Sequence, residues 1–376
     1  MKKIRLGVIG TGLAWERLHY PALMEMQDKY EIVALTNRTR SDAEIFAKKI
    51  NLDQKNVYDN YNELLERSDI DAVDILVPID QNYKVSEDVA NSGKSFICEK
   101  PLAPDMNQAR KYLELARKHG QIVDTANGQS RNRKLKILIA ENYRYSDENN
   151  LIKQLVNEGR IGDIIYFIKN NAACFPCDMS NDTYAGTEWR QHPAFPGGAF
   201  LDAALHDLAS FRYIFGDIEC VQAFGKKQSQ DFSPYVSVNC NIQFKNDVIG
   251  QYTYFPSGME TQKPLIGFRI FGSKGQIYLE NKTSGVISIT YNDGKSETIG
   301  FTPERGYYNE LLNFYNAFNG TEDILVTPEV EYGDVKTVFR ILDSVKSRLV
   351  CYMDESGQNE YFDYLPVQDG NDAFLQ

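Results

Sequence analysis

Histidine and cysteine are scarce in this chain, at four and six of 376 residues, and tryptophan occurs only twice. The cysteines are widely scattered, and only Cys174 and Cys177 form a CxxC. No second cysteine pair and no histidine cluster accompanies it, so a metal site lacks a ligand set and none is expected. Reduced cysteines in a cytoplasmic protein are the simpler expectation. Basic charge is also in deficit: 41 Lys and Arg stand against 52 Asp and Glu, a net charge of −11. A nucleic-acid or anionic-membrane binder needs a basic face, so neither partner class is expected. No apolar run reaches the roughly 18–20 residues of a membrane span. Lys2 and Lys3 ahead of an apolar run imitate a secretion signal. Arg5 interrupts that run, however, and Gly7, Gly10 and Gly12 suit a strand followed by a turn. Internal repeats and low-complexity tracts are missing too. What is present is 42% hydrophobic and 25% charged residues. That is an ordinary globular balance, with length for about two domains, and it leaves small-molecule chemistry open.

Residues 1–120 alternate strand and helix. "IRLGVI" is a β-branched apolar run, followed by a helical stretch from Ala14 to Gln27. "EIVALT" is a second strand, and Ser41 with Glu44 forms a capping box before "AEIFAKKI". "DAVDILV" is a third strand, "KVSEDVANSG" a helix ending at Gly93, and "SFICE" another strand. Asn107–His119 is helical, and Gly120 closes it. This alternation predicts a doubly wound parallel sheet, which binds ligands beyond the carboxyl ends of its strands. The polar stretch "DTANGQSRNRK" (124–134) reads as an exposed loop.

After residue 160 the pattern changes to "DIIYFIKNNAA", "VSVNCNIQF", "DVIGQYTYF", "GFRIFG", "GQIYLEN" and "GVISITYN". These are strands joined by short turns, hence a large, mainly antiparallel open sheet in an α+β domain. Helices are expected over Ala199–Ile214, Tyr307–Asn319 and Glu329–Lys346, the last with Thr327 as cap and Pro328 in its first turn. The expected division is 1–125 for a nucleotide-binding domain, 126–346 for a substrate and oligomerisation domain, and 347–376 for a C-terminal extension. "GFRIFG" and "GQYTYF" are apolar on both faces of their strands. Such a sheet is usually covered, so a homodimer or homotetramer built on it is expected.

Four constellations carry chemistry. Gly10-x-Gly12 follows a strand and opens a helix through Leu13 and Ala14. Glycine permits a tight turn and lets backbone N–H groups approach a pyrophosphate. The sixth position is Trp15, so the nearest small residue is Ala14. The second strand ends in Thr36-Asn37-Arg38-Thr39, without the acidic residue that usually holds a ribose 2′-hydroxyl. Asn37 does not repel a 2′-phosphate and Arg38 can pair with one, which points to NADP over NAD. The plainer alternative is a solvated loop arginine. Glu99-Lys100-Pro101 sets a lysine at a strand end, where it can bind a substrate hydroxyl and share its proton. A lone surface lysine is the competing reading. In "GGAFLDAALHD", Asp202 and His206 lie one helical turn apart, so the carboxylate can orient the imidazole for proton transfer. An ordinary helix-face pair would have the same spacing. His19 reads as turn packing.

Taken together, the glycine turn, "ICEKPLA", "GRIGDI", "TEWRQ", "GGAFLDAALHD" and "YYNELLNFYNAF…LVTPEV" resemble the glucose–fructose oxidoreductase / inositol dehydrogenase family (Gfo/Idh/MocA) over residues 3–346. The resemblance implies an N-terminal Rossmann domain and a C-terminal domain with a large open sheet. It implies hydride transfer between NAD(P) and a carbinol carbon of a sugar, cyclitol or related polyol. Carried over, the catalytic residues are Lys100, Asp202 and His206, with His206 as acid/base oriented by Asp202. The substrate residues add Tyr143-Arg144 and Trp189-Arg190, and the cofactor residues are Gly10, Gly12, Leu13, Ala14, Asn37, Arg38, Pro78, Glu99 and Lys100. Three departures stand out. The turn holds about one extra residue between Gly12 and Pro21. Pro78 is followed by Ile79-Asp80-Gln81-Asn82-Tyr83 where the family often has Asn and then His. Residues 121–135 look inserted. Two other outcomes are open: a lyase or glycosidase that oxidises only transiently with NAD, and a non-catalytic sensor of nucleotide or sugar.

Overall fold

The computed structural model describes residues 1–119, 135–256 and 267–354, plus two short paired strands at Val123–Asp124 and Arg131–Asn132. The Gly120 stop lies outside the described residues, as does most of the 124–134 stretch.

Six parallel strands make the first sheet. Their spatial order is Val57–Tyr58, Tyr30–Thr36, Ile4–Ile9, Ala72–Ile75, Ser95–Glu99 and Ile137–Ala140. The last four of these are buried along most of their length, as parallel strands between helical layers must be. Chain order reverses between Ile4–Ile9 and Ala72–Ile75, which opens a crevice at their carboxyl ends. The sixth strand comes from the stretch assigned by sequence to the second domain.

Two helix starts differ from expectation. The stretch after Gly12 is a π-helical turn over Trp15–His19 followed by an α-helix over Tyr20–Met24. A π turn absorbs one surplus residue without breaking the helix, which accounts for the long glycine turn. Trp15 occupies the expected small-residue position by turning inward, fully buried with its ring 5.7 Å from Tyr20 and 6.3 Å from Phe46. The Ser41–Glu44 capping box does not form. The helix begins at Arg40, and Arg40 Nε donates to Glu44 Oε1 at 2.7 Å across one turn.

The second sheet has nine strands in the order Ser296–Gly300, Val286–Tyr291, Gly275–Leu279, Gly267–Gly272, Ile164–Ala172, Ile249–Phe255, Tyr235–Phe244, Ile218–Lys227 and Cys351–Tyr352. Ile164–Ala172 runs parallel to Ile249–Phe255, and the other pairs are antiparallel. Ile218–Lys227 escapes the sequence pattern because its register shifts between Ile218 and Cys220, which breaks the period of two. One face is filled by Phe167, whose ring lies 4.7 Å from both Phe211 and Phe215 of the helix Leu205–Phe215. Gly250 makes room for it, since a Cβ there would sit 2.2 Å from the Phe167 ring. Elsewhere on the sheet Ile165, Phe224 and Ile249 are 55%, 60% and 53% exposed, apolar side chains that no described residue covers.

The last long helix spans Pro328–Ser347, with Thr327 Oγ1 accepting from the Val330 N–H as its cap. Cys174 and Cys177 are joined in a disulfide, which corrects the expectation that all cysteines are reduced. The other four are buried free thiols. Among the described residues, no helix is long and apolar enough to cross a membrane.

Candidate active site

A cleft of about 1400 Å³ lies where the parallel strands end and the second domain begins. Sites that hold one drug-sized ligand span roughly 300–1,000 Å³, so this one has room for a dinucleotide and a substrate. Gly10, Gly12, Leu13, Ala14, Asn37, Arg38 and Pro78 line it from the first sheet, with Glu99 and Lys100. Tyr143, Trp189, Arg190, Asp202 and His206 line it from the second domain.

In the glycine turn, Gly10 adopts φ +100°, and a Cβ there would fall 2.1 Å from the Leu76 carbonyl oxygen. At Gly12 a Cβ would meet nothing within 4 Å, so this backbone faces open space. An open backbone at the start of a helix is the cradle a pyrophosphate requires, and the residues fit a dinucleotide. Asn37 braces the turn: its Oδ1 accepts from Thr11 N–H at 3.3 Å, and its Nδ2 donates to the Thr39 carbonyl and Asp42. Arg40 is committed to Glu44 and Asp59. Arg38 is exposed and has no ion-pair partner among the described residues, so it is the guanidinium free to meet a ligand.

The lysine turn is held from two sides. Asn82 Nδ2 donates to the carbonyls of Glu99 at 3.0 Å and Pro101 at 2.8 Å. Nothing local to Asn82, four residues after Pro78, marks it for this role in the sequence. Glu99 accepts from the Lys100 N–H at 3.1 Å and hydrogen-bonds His19 Nε2 at 3.2 Å, while His19 Nδ1 bonds Asp74 at 2.9 Å. Burial opposes protonation of His19, but the Asp74 and Glu99 carboxylates outweigh it and raise its pKa well above the ordinary value. His19 is therefore more than turn packing: it ties the helix after the glycine turn to the lysine turn.

Lys100 Nζ donates to the Asp202 carbonyl at 2.7 Å and to Asp202 Oδ1 at 2.9 Å. Arg190 Nε donates to Asp202 Oδ2 at 2.7 Å, and its guanidinium lies 3.9 Å over the Trp189 ring. Burial would raise the Asp202 pKa, but Lys100 and Arg190 hold it well below the usual carboxylate range. Asp202 is thus a fixed anion that anchors both cations and does not trade protons near neutrality.

His206 differs from expectation in its partner. Asp202 sits in a π turn over Phe200–Ala204 and His206 in the α-helix that follows, and no hydrogen bond joins them. His206 Nδ1 instead bonds Glu141 Oε1 at 2.7 Å. Glu141 is fully buried and also accepts from the Tyr143 N–H at 3.1 Å. The Tyr143 ring stacks on the imidazole at 4.4 Å and 18°. Nε2 has no protein partner among the described residues, and His206 lines the cleft. Glu141 belongs to no motif; the available signal was an acidic residue directly after the apolar run of the last parallel strand.

Arg144, expected beside the substrate, does not line the cleft. It is 5% exposed and turned to the last long helix, where Nε and Nη2 reach Asp334 at 3.0 and 2.7 Å. Its neighbour Tyr143 faces the cleft because the two belong to a 3₁₀ turn, Asn142–Tyr145, that sends adjacent side chains apart.

Residues 4–126 match the family model of the oxidoreductase family with an NAD-binding Rossmann fold (GFO_IDH_MocA), and residues 150–278 match that of the GFO/IDH/MocA C-terminal domain. A crystal structure of an oxidoreductase from Thermotoga maritima is 30% identical and superposes with a TM-score of 0.79, covering 94% of this chain and 99% of that one. An uncharacterized protein of Saccharomyces cerevisiae is 27% identical over 92% of this chain and 96% of its own. The myo-inositol 2-dehydrogenase of Thermotoga maritima is 25% identical over 87% of this chain and 91% of its own. The chain belongs to the Gfo/Idh/MocA family of oxidoreductases, with an NAD(P)-binding Rossmann domain.

Proposed function

We propose that this oxidoreductase transfers a hydride between a nicotinamide, preferably of NADP(H), and a carbinol carbon of a sugar, cyclitol or related polyol. The observation that carries this is the meeting, in one cleft, of an open glycine turn with Lys100 and a Glu141-backed His206. Similarity to a myo-inositol 2-dehydrogenase supports the substrate class. Residues 1–125 would hold the nucleotide, residues 126–346 the substrate and the subunit contact, with 347–376 as an extension.

In the oxidative direction, His206 Nε2 takes the hydroxyl proton. Its Nδ1–H then faces the buried Glu141 carboxylate, which stabilises the imidazolium as it forms. Lys100, fixed by Asp202, donates to the same substrate oxygen. Arg190, stacked on Trp189, stands ready for another hydroxyl. A bound nicotinamide supplies the hydride acceptor; Gly10, Gly12, Leu13, Ala14, Pro78 and Arg38 would hold its nucleotide. Turnover of a panel of sugars and cyclitols, followed by nicotinamide absorbance with NADP and with NAD, tests this reading. No reduction with any member would refute it.

Cofactor choice rests on Arg38. Losing a charge-assisted hydrogen bond costs about 1.5–3 kcal/mol. Arg38→Ala is therefore expected to weaken NADP binding about tenfold or more and to leave NAD binding nearly unchanged, by calorimetric titration. An unaltered ratio would refute the NADP preference.

The exposed Ile165, Phe224 and Ile249 support pairing of the nine-stranded sheet with a second copy. Light scattering is expected to give at least twice the 42.9 kDa chain mass at micromolar concentration. A stable monomer would contradict it. A cytoplasmic location is the reading that suits the four free thiols.

A further inference from the structure

Beyond Tyr143 lies a second cavity of about 250 Å³. Tyr143, Glu148 and Lys282 line both it and the main cleft, so the two adjoin across these side chains. The second chamber sits between the start of the helix carrying His206 and the strand Ile164–Ala172. Asp207, next in sequence to the proposed acid/base, is part of its wall.

Its lining suits a polar ligand that both donates and accepts hydrogen bonds. Asp207 is buried, accepts from Asn171 Nδ2 at 2.7 Å and from the Tyr252 hydroxyl at 2.9 Å, and has Lys169 Nζ at 3.6 Å. Glu148 is 4% exposed, and its Oε2 has no hydrogen-bond partner. Two lysines, Lys169 and Lys282, thus stand among three carboxylates, Asp207, Glu148 and Glu280, with the asparagine amides of residues 149, 170, 171 and 281 between them. An anion entering would meet Asp207, Glu148 and Glu280, and a cation would meet Lys169 and Lys282. A hydroxyl-rich neutral unit both donates and accepts, so it can meet groups of either sign. The volume falls below the roughly 300–1,000 Å³ of sites that enclose a whole drug-sized ligand, so it suits one further small unit.

We infer that this chamber is a second glycosyl subsite: the substrate is a glycoside or disaccharide whose oxidised ring lies at Lys100 and His206 and whose neighbouring ring lies beyond Tyr143. The inference rests on the carbinol reading above and names the substrate class more narrowly.

Two readouts separate it from that reading. The first is calorimetric binding to the NADP⁺-loaded full chain of maltose, cellobiose and galactinol, each set against glucose or myo-inositol. The second is nicotinamide absorbance with the same compounds. At least one two-ring compound is expected to bind about tenfold or more tightly than its one-ring counterpart. Thr283→Trp, which fills the chamber from its exposed side, is expected to remove most of that advantage and to change one-ring binding less than twofold. Equal affinity for one and two rings, or an advantage that survives Thr283→Trp, would overturn the subsite. A two-ring advantage in binding without absorbance change for any compound would uphold the chamber and count against the carbinol reading.

Discussion

Replacing His206 with alanine is expected to lower kcat by about 10²–10⁴-fold, the range a positioned general acid or base contributes. Nucleotide binding should persist, because His206 lies with the second domain's residues and the glycine turn is untouched. Lys100→Ala should fall in the same range. Its ammonium is delivered to Asp202 by the parallel sheet, and removing it leaves Arg190 as the sole partner of that carboxylate among the described residues. Glu141→Gln gives the sharper comparison. The amide keeps a hydrogen bond to Nδ1 but not the negative charge, so the imidazolium loses its counter-ion. Activity should drop by a smaller factor than in His206→Ala. Asp202→Asn should act differently, by loosening Lys100 and Arg190. Near-normal turnover in both His206→Ala and Lys100→Ala, on a substrate the wild type oxidises, would remove these residues from the chemistry. A Glu141→Gln enzyme with wild-type kcat would remove Glu141 from the orienting role.

The second large effect is on stability. Asp334 is fully buried and accepts from Arg144 through both oxygens, and from Arg212 Nη1 as well. Removing one partner of such a pair strands buried charge and typically costs about 3–5 kcal/mol. Here two guanidiniums would be left, so Asp334→Ala is expected at the upper part of that range in urea unfolding, with little change in the m-value. Changing Arg144 and Asp334 together to well-fitting apolar residues should recover part of the loss. A cost under 1 kcal/mol would show that water reaches this site. The prediction also discriminates between two roles for Arg144: a substrate residue would lower affinity and spare stability, and the buried geometry calls for the reverse.

The parallel half of the molecule was legible because each signal there is local. Glycine at Gly10 is demanded by φ and by the Leu76 carbonyl, and the apolar runs 4–9, 72–75 and 95–99 appear as strands with small shifts in their ends. What failed depended on geometry that local spacing does not encode. Asp202 and His206 are four apart, yet the π turn over Phe200–Ala204 breaks the α-helical register that would make them partners. The true partner, Glu141, is 65 residues away in sequence and comes from the other sheet's last strand end. Tyr143 and Arg144 are adjacent, and the 3₁₀ turn sends one to the cleft and the other to the last helix. The capping box at Ser41 gave way to an Arg40–Glu44 pair one residue earlier. Lys100, Arg190 and Trp189 fell where the motif placed them, because a strand end and a short helix beside Asp202 leave them little choice.

The fate of the carbinol hydrogen tests the central claim most directly. A polyol found active in the panel, deuterated at the carbon to be oxidised, is incubated with NADP⁺, and both the nucleotide and the organic product are analysed by mass spectrometry. The account predicts reduced nucleotide carrying one deuterium, formed one for one with a carbonyl product that has lost it. Consumption of the polyol with no net reduced nucleotide, and with the deuterium back in the product, would contradict it and identify a reaction in which oxidation is only transient.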